Sequence, residues 1–246
     1  IKKQNKGKIS NKKTNSSIRR WLFSAATDAF VTLPEKPWSH PGSTSPLLRT
    51  SCSHLVTVMS NVKIAIIGAG PVGQILALQL HAYGFQPILV GPHPNRCPSM
   101  VYALHPNNIS YLADLNINPT CANVSNMHIE TDLTNFKLSA HDAHKKHLCH
   151  IIHHDELLHA CSKNIFEKKI PWHQETPKEY THDKLYLNKQ TLTPDLLIAC
   201  DGRNSWLRKH TSIHIKEYDY QQHAHIATIS HHQKNMDAYQ SFRTSG

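Results

Sequence analysis

Acidic residues are scarce in this chain: 17 Asp and Glu stand against 27 Lys and Arg, for a formal net charge of +10. The shortage is uneven. Residues 1–58 carry 10 Lys and Arg with only 2 Asp and Glu, whereas residues 59–246 carry 17 and 15. The basic excess therefore sits in the leader, and a nucleic-acid partner loses its main support, because such a surface needs basic residues gathered on a folded face. Long apolar runs are also missing. None approaches the ~20 residues a membrane-spanning helix needs. There is no Cys-x-x-Cys pair and no His-Glu-x-x-His, which removes the usual thiol-metal and zinc-hydrolase signatures. The six cysteines, at 52, 97, 121, 149, 161 and 200, are too scattered for a disulfide framework and suit a reducing compartment.

What is present begins at Val62-Lys63-Ile64-Ala65-Ile66-Ile67-Gly68-Ala69-Gly70-Pro71-Val72-Gly73. A β-branched apolar run leads into Gly-x-Gly-x-x-Gly, and Gln74-Ile75-Leu76-Ala77-Leu78-Gln79-Leu80 continues with helical character. Strand, glycine turn, helix is the context in which this motif binds a dinucleotide. Gly68 permits the tight turn, Gly70 lets the backbone approach a pyrophosphate, and Gly73 lets helix and strand pack closely. The helix N-terminus offers unpaired N–H groups and its positive dipole end to the phosphates.

A second signal is Pro194-Asp195-Leu196-Leu197-Ile198-Ala199-Cys200-Asp201-Gly202-Arg203-Asn204-Ser205-Trp206-Leu207-Arg208. Leu196 to Cys200 reads as a buried strand, with Asp201-Gly202 at the carboxyl end where α/β sheets bind ligands. Together the two motifs resemble the flavin-dependent aromatic hydroxylases of the para-hydroxybenzoate hydroxylase fold. The continuation Glu217-Tyr218-Asp219-Tyr220-Gln221-Gln222-His223-Ala224-His225-Ile226-Ala227-Thr228-Ile229 narrows the resemblance to the ubiquinone-biosynthesis hydroxylases, from about Val62 to the last residue. That resemblance implies an α/β, Rossmann-like FAD-binding domain with a mostly parallel sheet, followed by the beginning of a β-rich substrate domain. It also implies hydroxylation of a polyprenyl phenol with FAD, NAD(P)H and O2. Gly68, Gly70 and Gly73 would serve the pyrophosphate, and Asp201 and Gly202 the ribityl or pyrophosphate side of the flavin. Ser205 and Arg208 would brace that motif or contact a pyridine nucleotide. No catalytic base is assigned. The expected location is cytoplasmic and peripheral to the inner membrane, with association in a ubiquinone-biosynthesis complex; the alternative is the mitochondrial matrix.

Two positions depart from the family. Gly91-Pro92 occupies the end of the second strand (Pro87-Ile88-Leu89-Val90), where an Asp or Glu normally binds the adenosine ribose. Met100, before Val101-Tyr102-Ala103-Leu104, replaces an Arg, with Arg96 out of register. The loss of one charged hydrogen bond at Gly91 weakens FAD binding by about 1.5–3 kcal/mol. There is also no Gly-Asp pair, the family's second FAD segment, so the sequence is expected to be an N-terminal portion. Residues 1–58 read as a disordered or non-native leader ahead of Met59, the rival being a mitochondrial transit peptide. Asp28 interrupts Trp21 to Val31 and argues against a secretory signal. Residues 59–210 read as the FAD-binding domain, with a substrate-sheet hairpin near 127–140, and 211–246 as the start of a truncated substrate domain. The alternative functions are a non-catalytic binding or assembly module and another FAD oxidoreductase of the same fold.

Elsewhere the pattern predicts helices over 71–83, 103–115 and 155–165. It predicts a hairpin of 127–131 with 136–139, and further strands over 185–187 and 192–200. His141, His144, His147, His150 and His153 recur every third residue. That spacing advances about 300° per step on a helix, so the side chains do not converge, and a loop with a surface helix is expected in place of a metal site. Cys200 is expected to be a packing residue.

Overall fold

The structure is a computed structural model that describes residues 62–211, 213–230, 232 and 237–244. The readings of residues 1–58 lie outside the described residues. In chain order the elements are β1 (Lys63–Ile67), α1 (Pro71–Ala82), β2 (Gln86–Val90), β3 (Val101–Leu104), α2 (Pro106–Asp114), β4 (Cys121–Val124), β5 (Asn126–Thr131), β6 (Asn135–Ser139) and β7 (Cys149–His153). They continue with α3 (His154–Glu167), β8 (Trp172–His173), β9 (Glu179–Thr181), β10 (Lys184–Tyr186), β11 (Thr191–Leu192), β12 (Leu196–Ala199), α4 (Trp206–Lys209) and β13 (Asp237–Phe242).

The central sheet is parallel, in the order β12-β1-β2-β8. Side chains alternate across β1. Ile64 and Ile66 enter a core with Leu78 of α1 and with Leu157, Cys161 and Ile165 of α3. Ile67, on the opposite face, joins Val90, Leu185, Leu187 and Leu207. Helices thus cover one face, and the small antiparallel β9–β11 meander with α4 covers the other. Gln74 is the polar exception on α1. It is fully buried, and its amide Nε2 donates to the Ala69 carbonyl at 2.8 Å while its Oε1 accepts from Ser162 Oγ at 3.0 Å. Both ends of the amide are satisfied, so α1 is tied to α3 without an unpaired buried group.

Two local expectations are corrected. The predicted 103–115 helix begins only at Pro106, because Tyr102, Ala103 and Leu104 pair with β7. His105 is extended, as a residue before proline prefers, and Pro106 takes the first helical position, where its missing N–H costs nothing. The histidine run contains no helix through His153. Residues 149–153 form β7, held between β3 and β4, and the turns before it carry His141 and His144. His150 is anchored there, with Nδ1 2.8 Å from Asn123 Oδ1, and burial beside His147 lowers its pKa. Among the described residues no cluster of three or more His, Cys, Asp or Glu is placed to hold a metal ion. Among them, too, no helix is long and apolar enough to cross a membrane.

β5 and β6 form the expected antiparallel hairpin, one residue longer at each start. β13 adds to it in parallel, with Asp237 beside Asn126 and Phe242 beside Thr131.

Candidate dinucleotide site

Gly68 ends β1 with φ +108, and its N–H donates to the Val90 carbonyl at 2.7 Å. A Cβ there would overlap the Cys200 carbonyl and the Asp201 nitrogen. One residue earlier, the Cys200 N–H donates to the Ile67 carbonyl at 2.6 Å. The glycine turn after β1 and the Asp201-Gly202 turn after β12 therefore touch backbone to backbone at one carboxyl edge of the sheet. Gly73, in the first turn of α1, lies so close to this turn that a Cβ would fall on the Gly68 carbonyl oxygen. Gly70 differs. It is the N-cap of α1, its backbone is extended, no side chain caps the helix, and a Cβ would meet nothing within 4 Å. Pro71 carries no N–H and the Gln74 N–H bonds the Gly70 carbonyl, so the first-turn amides left without an i−4 partner are those of Val72 and Gly73.

Asp201 serves two directions. Its Oδ2 accepts from the Trp206 N–H at 2.5 Å and the Leu207 N–H at 3.2 Å, at the start of α4. Its Oδ1 is buried without a hydrogen-bond partner. A buried carboxylate oxygen left unpaired is costly, so a donor supplied by a ligand hydroxyl or amide would remove a penalty. Ser205 is the N-cap of α4; its Oγ accepts from the Arg208 N–H at 3.1 Å. The Arg208 guanidinium donates to the Arg203 carbonyl. Both residues hold the turn's own backbone in place. Gly202 has φ +79 and open space where a Cβ would be. Asp201→Ala removes the acceptor for two α4 amides and is expected to cost about 1 kcal/mol in a urea titration, as a lost helix cap does.

The two departures have definite surroundings. Gly91 donates to the His173 carbonyl at 2.9 Å and accepts from Trp172 Nε1 at 2.8 Å. Its φ of +152 and the nearby Ala69 nitrogen, 3.1 Å from a would-be Cβ, leave little room for the acid common at this place. His93 packs edge-on against Trp172 with ring centroids 4.3 Å apart. Nothing in the local pattern around Trp172 signals this contact, since β8 is two residues long and 81 residues separate Trp172 from Gly91. Met100 gives its carbonyl to the His154 N–H at 2.9 Å. Arg96 pairs with Asp155 at 3.2 Å, and the Cys97 N–H donates to the other oxygen of the same carboxyl at 2.8 Å, holding it below the usual carboxylate range. Burial, reinforced by Asp201, pushes the Cys200 thiol up to about 11, so it is no nucleophile near neutrality.

These features fit FAD at the pyrophosphate end: a close-packed glycine turn, an open helix N-cap and an unpartnered buried carboxylate oxygen at one sheet edge. At the ribose end the side-chain acceptor is missing.

No protein-family model and no curated protein sequence matches this chain. Solved structures do. PqsL from Pseudomonas aeruginosa, described as "a probable FAD-dependent monooxygenase", superposes with a TM-score of 0.52 at 18% identity over 65% of this chain and 48% of its own. Over that part the chain shares the fold of PqsL. PqsL in complex with 2-aminobenzoylacetate gives 0.51 at 19% identity, again over 65% and 48%. CtdE in complex with FAD and a substrate gives 0.48 at 15%, over 58% and 38%. At such identities the likeness to PqsL is one of fold. The chain spans less than half the length of each of these structures.

Proposed function

We propose that this chain forms the FAD-binding portion of a flavin-dependent aromatic-ring hydroxylase of ubiquinone biosynthesis, acting on a polyprenyl phenol with NAD(P)H and O2. The observation that carries the flavin part is the backbone contact between the Gly68–Gly73 turn and the Asp201-Gly202 turn. It brings two motifs about 130 residues apart to one sheet edge, where α/β folds hold their ligands. The substrate class rests on the resemblance carried by Asp201 to Arg208 and Glu217 to Ile229. A polyprenyl substrate resides in a bilayer, so the proposed location is peripheral to the membrane that holds it, on the cytoplasmic side, with the mitochondrial matrix as the alternative.

FAD, when bound, supplies the electron transfer from NAD(P)H to O2. The chain's own residues bind and orient it. Gly70 leaves room for the pyrophosphate against the first-turn amides of α1, whose dipole favours negative charge. Asp201 Oδ1 accepts a hydrogen bond from the ribityl or pyrophosphate side. Gly68 and Gly73 set the distance between strand and helix.

Gly70→Val tests the reading. A branched side chain fits the free protein, because no atom lies within 4 Å of the Cβ position, yet it fills the space of the pyrophosphate. Flavin-fluorescence quenching is expected to show FAD binding by the full chain and a loss of about a hundredfold or more in the variant, worth roughly 3 kcal/mol. The thermal midpoint without FAD should stay nearly unchanged. Equal FAD affinity in the two proteins would sink the assignment.

A further inference from the structure

The end of β2 carries no acid, and its surroundings are basic. Gly91 lies against the glycine turn, since a Cβ there would come within 3.1 Å of the Ala69 nitrogen. Gly91 brings no side-chain acceptor to a ribose hydroxyl, and both of its backbone groups are already engaged, by the His173 carbonyl at 2.9 Å and by Trp172 Nε1 at 2.8 Å. It also brings no negative charge. Two residues on, the exposed ring of His93 packs edge-on against Trp172, with centroids 4.3 Å apart, and so stays close to Gly91.

α3 brings Arg96 to the same edge. The helix leads into β8, which runs parallel to β2, so it begins at the carboxyl edge of the sheet and returns the chain to the opposite one. At its start Asp155 takes the Cys97 N–H on one oxygen at 2.8 Å and Arg96 Nε on the other at 3.2 Å. That bond uses one of the guanidinium's N–H donors and leaves the others, on a side chain that is 89% exposed. The nearby acids are otherwise occupied. Asp155 is spent on Arg96 and Cys97, Glu175 beyond β8 accepts the Asn188 N–H at 2.7 Å, and Glu156 lines a separate groove with His159 and Lys163.

We propose that this end of the edge takes an adenosine whose ribose carries a phosphate, with Arg96 and His93 as its partners. An acid at the end of the second strand accepts the ribose hydroxyls and repels such a phosphate, whereas an arginine nearby accommodates it. Here the acid is absent and the arginine is present. The guanidinium meets phosphate oxygens with charge-assisted N–H bonds, and the His93 imidazole donates a further one. Such a nucleotide carries its 5′-phosphate to the open space at Gly70, so it and FAD exclude each other. The inference rests on the dinucleotide reading of the edge and adds which nucleotides besides FAD that edge takes.

The probes are adenosine 2′,5′-bisphosphate, adenosine 3′,5′-bisphosphate and 5′-AMP, titrated calorimetrically into the full chain. A bisphosphate is expected to bind about tenfold or more tighter than 5′-AMP, as added charge-assisted hydrogen bonds do, and to compete with FAD. Preference for the 2′ isomer assigns the phosphate of an NADP-type dinucleotide, and preference for the 3′ isomer that of a coenzyme A-type nucleotide. Arg96→Gln combined with His93→Ala should bring the bisphosphate within about twofold of 5′-AMP. The thermal midpoint of the free chain should not move, because both side chains are exposed. Gly70→Val should lose the bisphosphate and FAD together. Equal affinity for bisphosphate and 5′-AMP in a chain that binds FAD overturns this inference alone. So does bisphosphate binding that persists in Gly70→Val, or a preference that persists in the double variant. Preferential bisphosphate binding, lost in Gly70→Val, by a chain that binds no FAD supports the inference and overturns the flavin reading. Binding of none of these nucleotides overturns both.

Discussion

Gly73→Ala is expected to lower the unfolding free energy by about 3 kcal/mol, at the upper end of overpacking costs and a large share of a typical domain's total. A single methyl does this because its place is occupied by backbone. The Cβ would fall on the Gly68 carbonyl oxygen, and neither partner can yield. Gly68 is held by its bond to Val90 at 2.7 Å, and β1 is clamped between β12 and β2. α1 cannot retreat without opening the core around Leu78 and Ile64. Gly68→Ala should be comparable, since the methyl overlaps the Cys200 carbonyl and φ +108 is strained for any L side chain. Gly70→Ala should stay within about 0.5 kcal/mol of wild type, as N-cap and surface changes without a clash do. Urea unfolding of the three variants checks the ordering. Three equal losses would show that the turn is not packed as described. In the dinucleotide motif, two glycines are thus expected to protect the fold and one the ligand's space.

The second large effect is alkaline destabilisation through Cys161. This thiol is fully buried on α3, and burial pushes it from 9.0 up to about 12. The folded chain therefore holds the proton that the unfolded chain releases. The stabilising term is whole below 9.0, where both states are protonated. It falls as pH rises from 9.0 towards about 12, by about 1.4 kcal/mol per pH unit for one proton. Its full size is about 4 kcal/mol. Unfolding free energy measured against pH should fall more steeply for wild type than for Cys161→Ala over that interval. The variant starts lower because of the cavity it leaves. Parallel slopes would mean that Cys161 ionises in the folded chain. Alkylation offers an independent check: Cys161 should resist a thiol reagent at neutral pH until the chain is unfolded.

Much of the cofactor edge was legible in the residues alone because its determinants are local. Ile64 to Ile67 is apolar on both faces, as a strand covered on both sides must be. Gly68, Gly70 and Gly73 follow at the spacing that a strand-to-helix turn needs, and Pro71 starts the helix. Leu196 to Ala199 ends at Asp201-Gly202, so both turns could be placed at a carboxyl edge. The hairpin of β5 and β6 was visible for the same reason, with Asp132-Leu133-Thr134-Asn135 read as the turn between two runs, of which Asn135 proves to open β6. By contrast β3, β4 and β8 are two to four residues long, too short for a period to show. The helix expected from Ala103 began three residues late because pairing with β7, a contact about 50 residues away in sequence, outweighed the helical spacing.

By itself, then, the sequence determined that a strand, a glycine turn and a helix form a dinucleotide-type unit, and that an Asp-Gly turn ends a second buried strand. These depend on dihedral freedom, spacing and apolar period, all properties of neighbouring residues. Only the tertiary structure decided what each group does there. It separated Gly70, with open space, from Gly68 and Gly73, which are packed against backbone. It turned one oxygen of Asp201 onto α4 and left the other buried and unpaired. It joined His128 to Asp237, 109 residues apart, in a pair that no local pattern announces. The physical reason is common to all three. Close approach, desolvation and hydrogen-bond pairing are set by which segments meet across the sheet, and that pairing follows from burial of the whole chain.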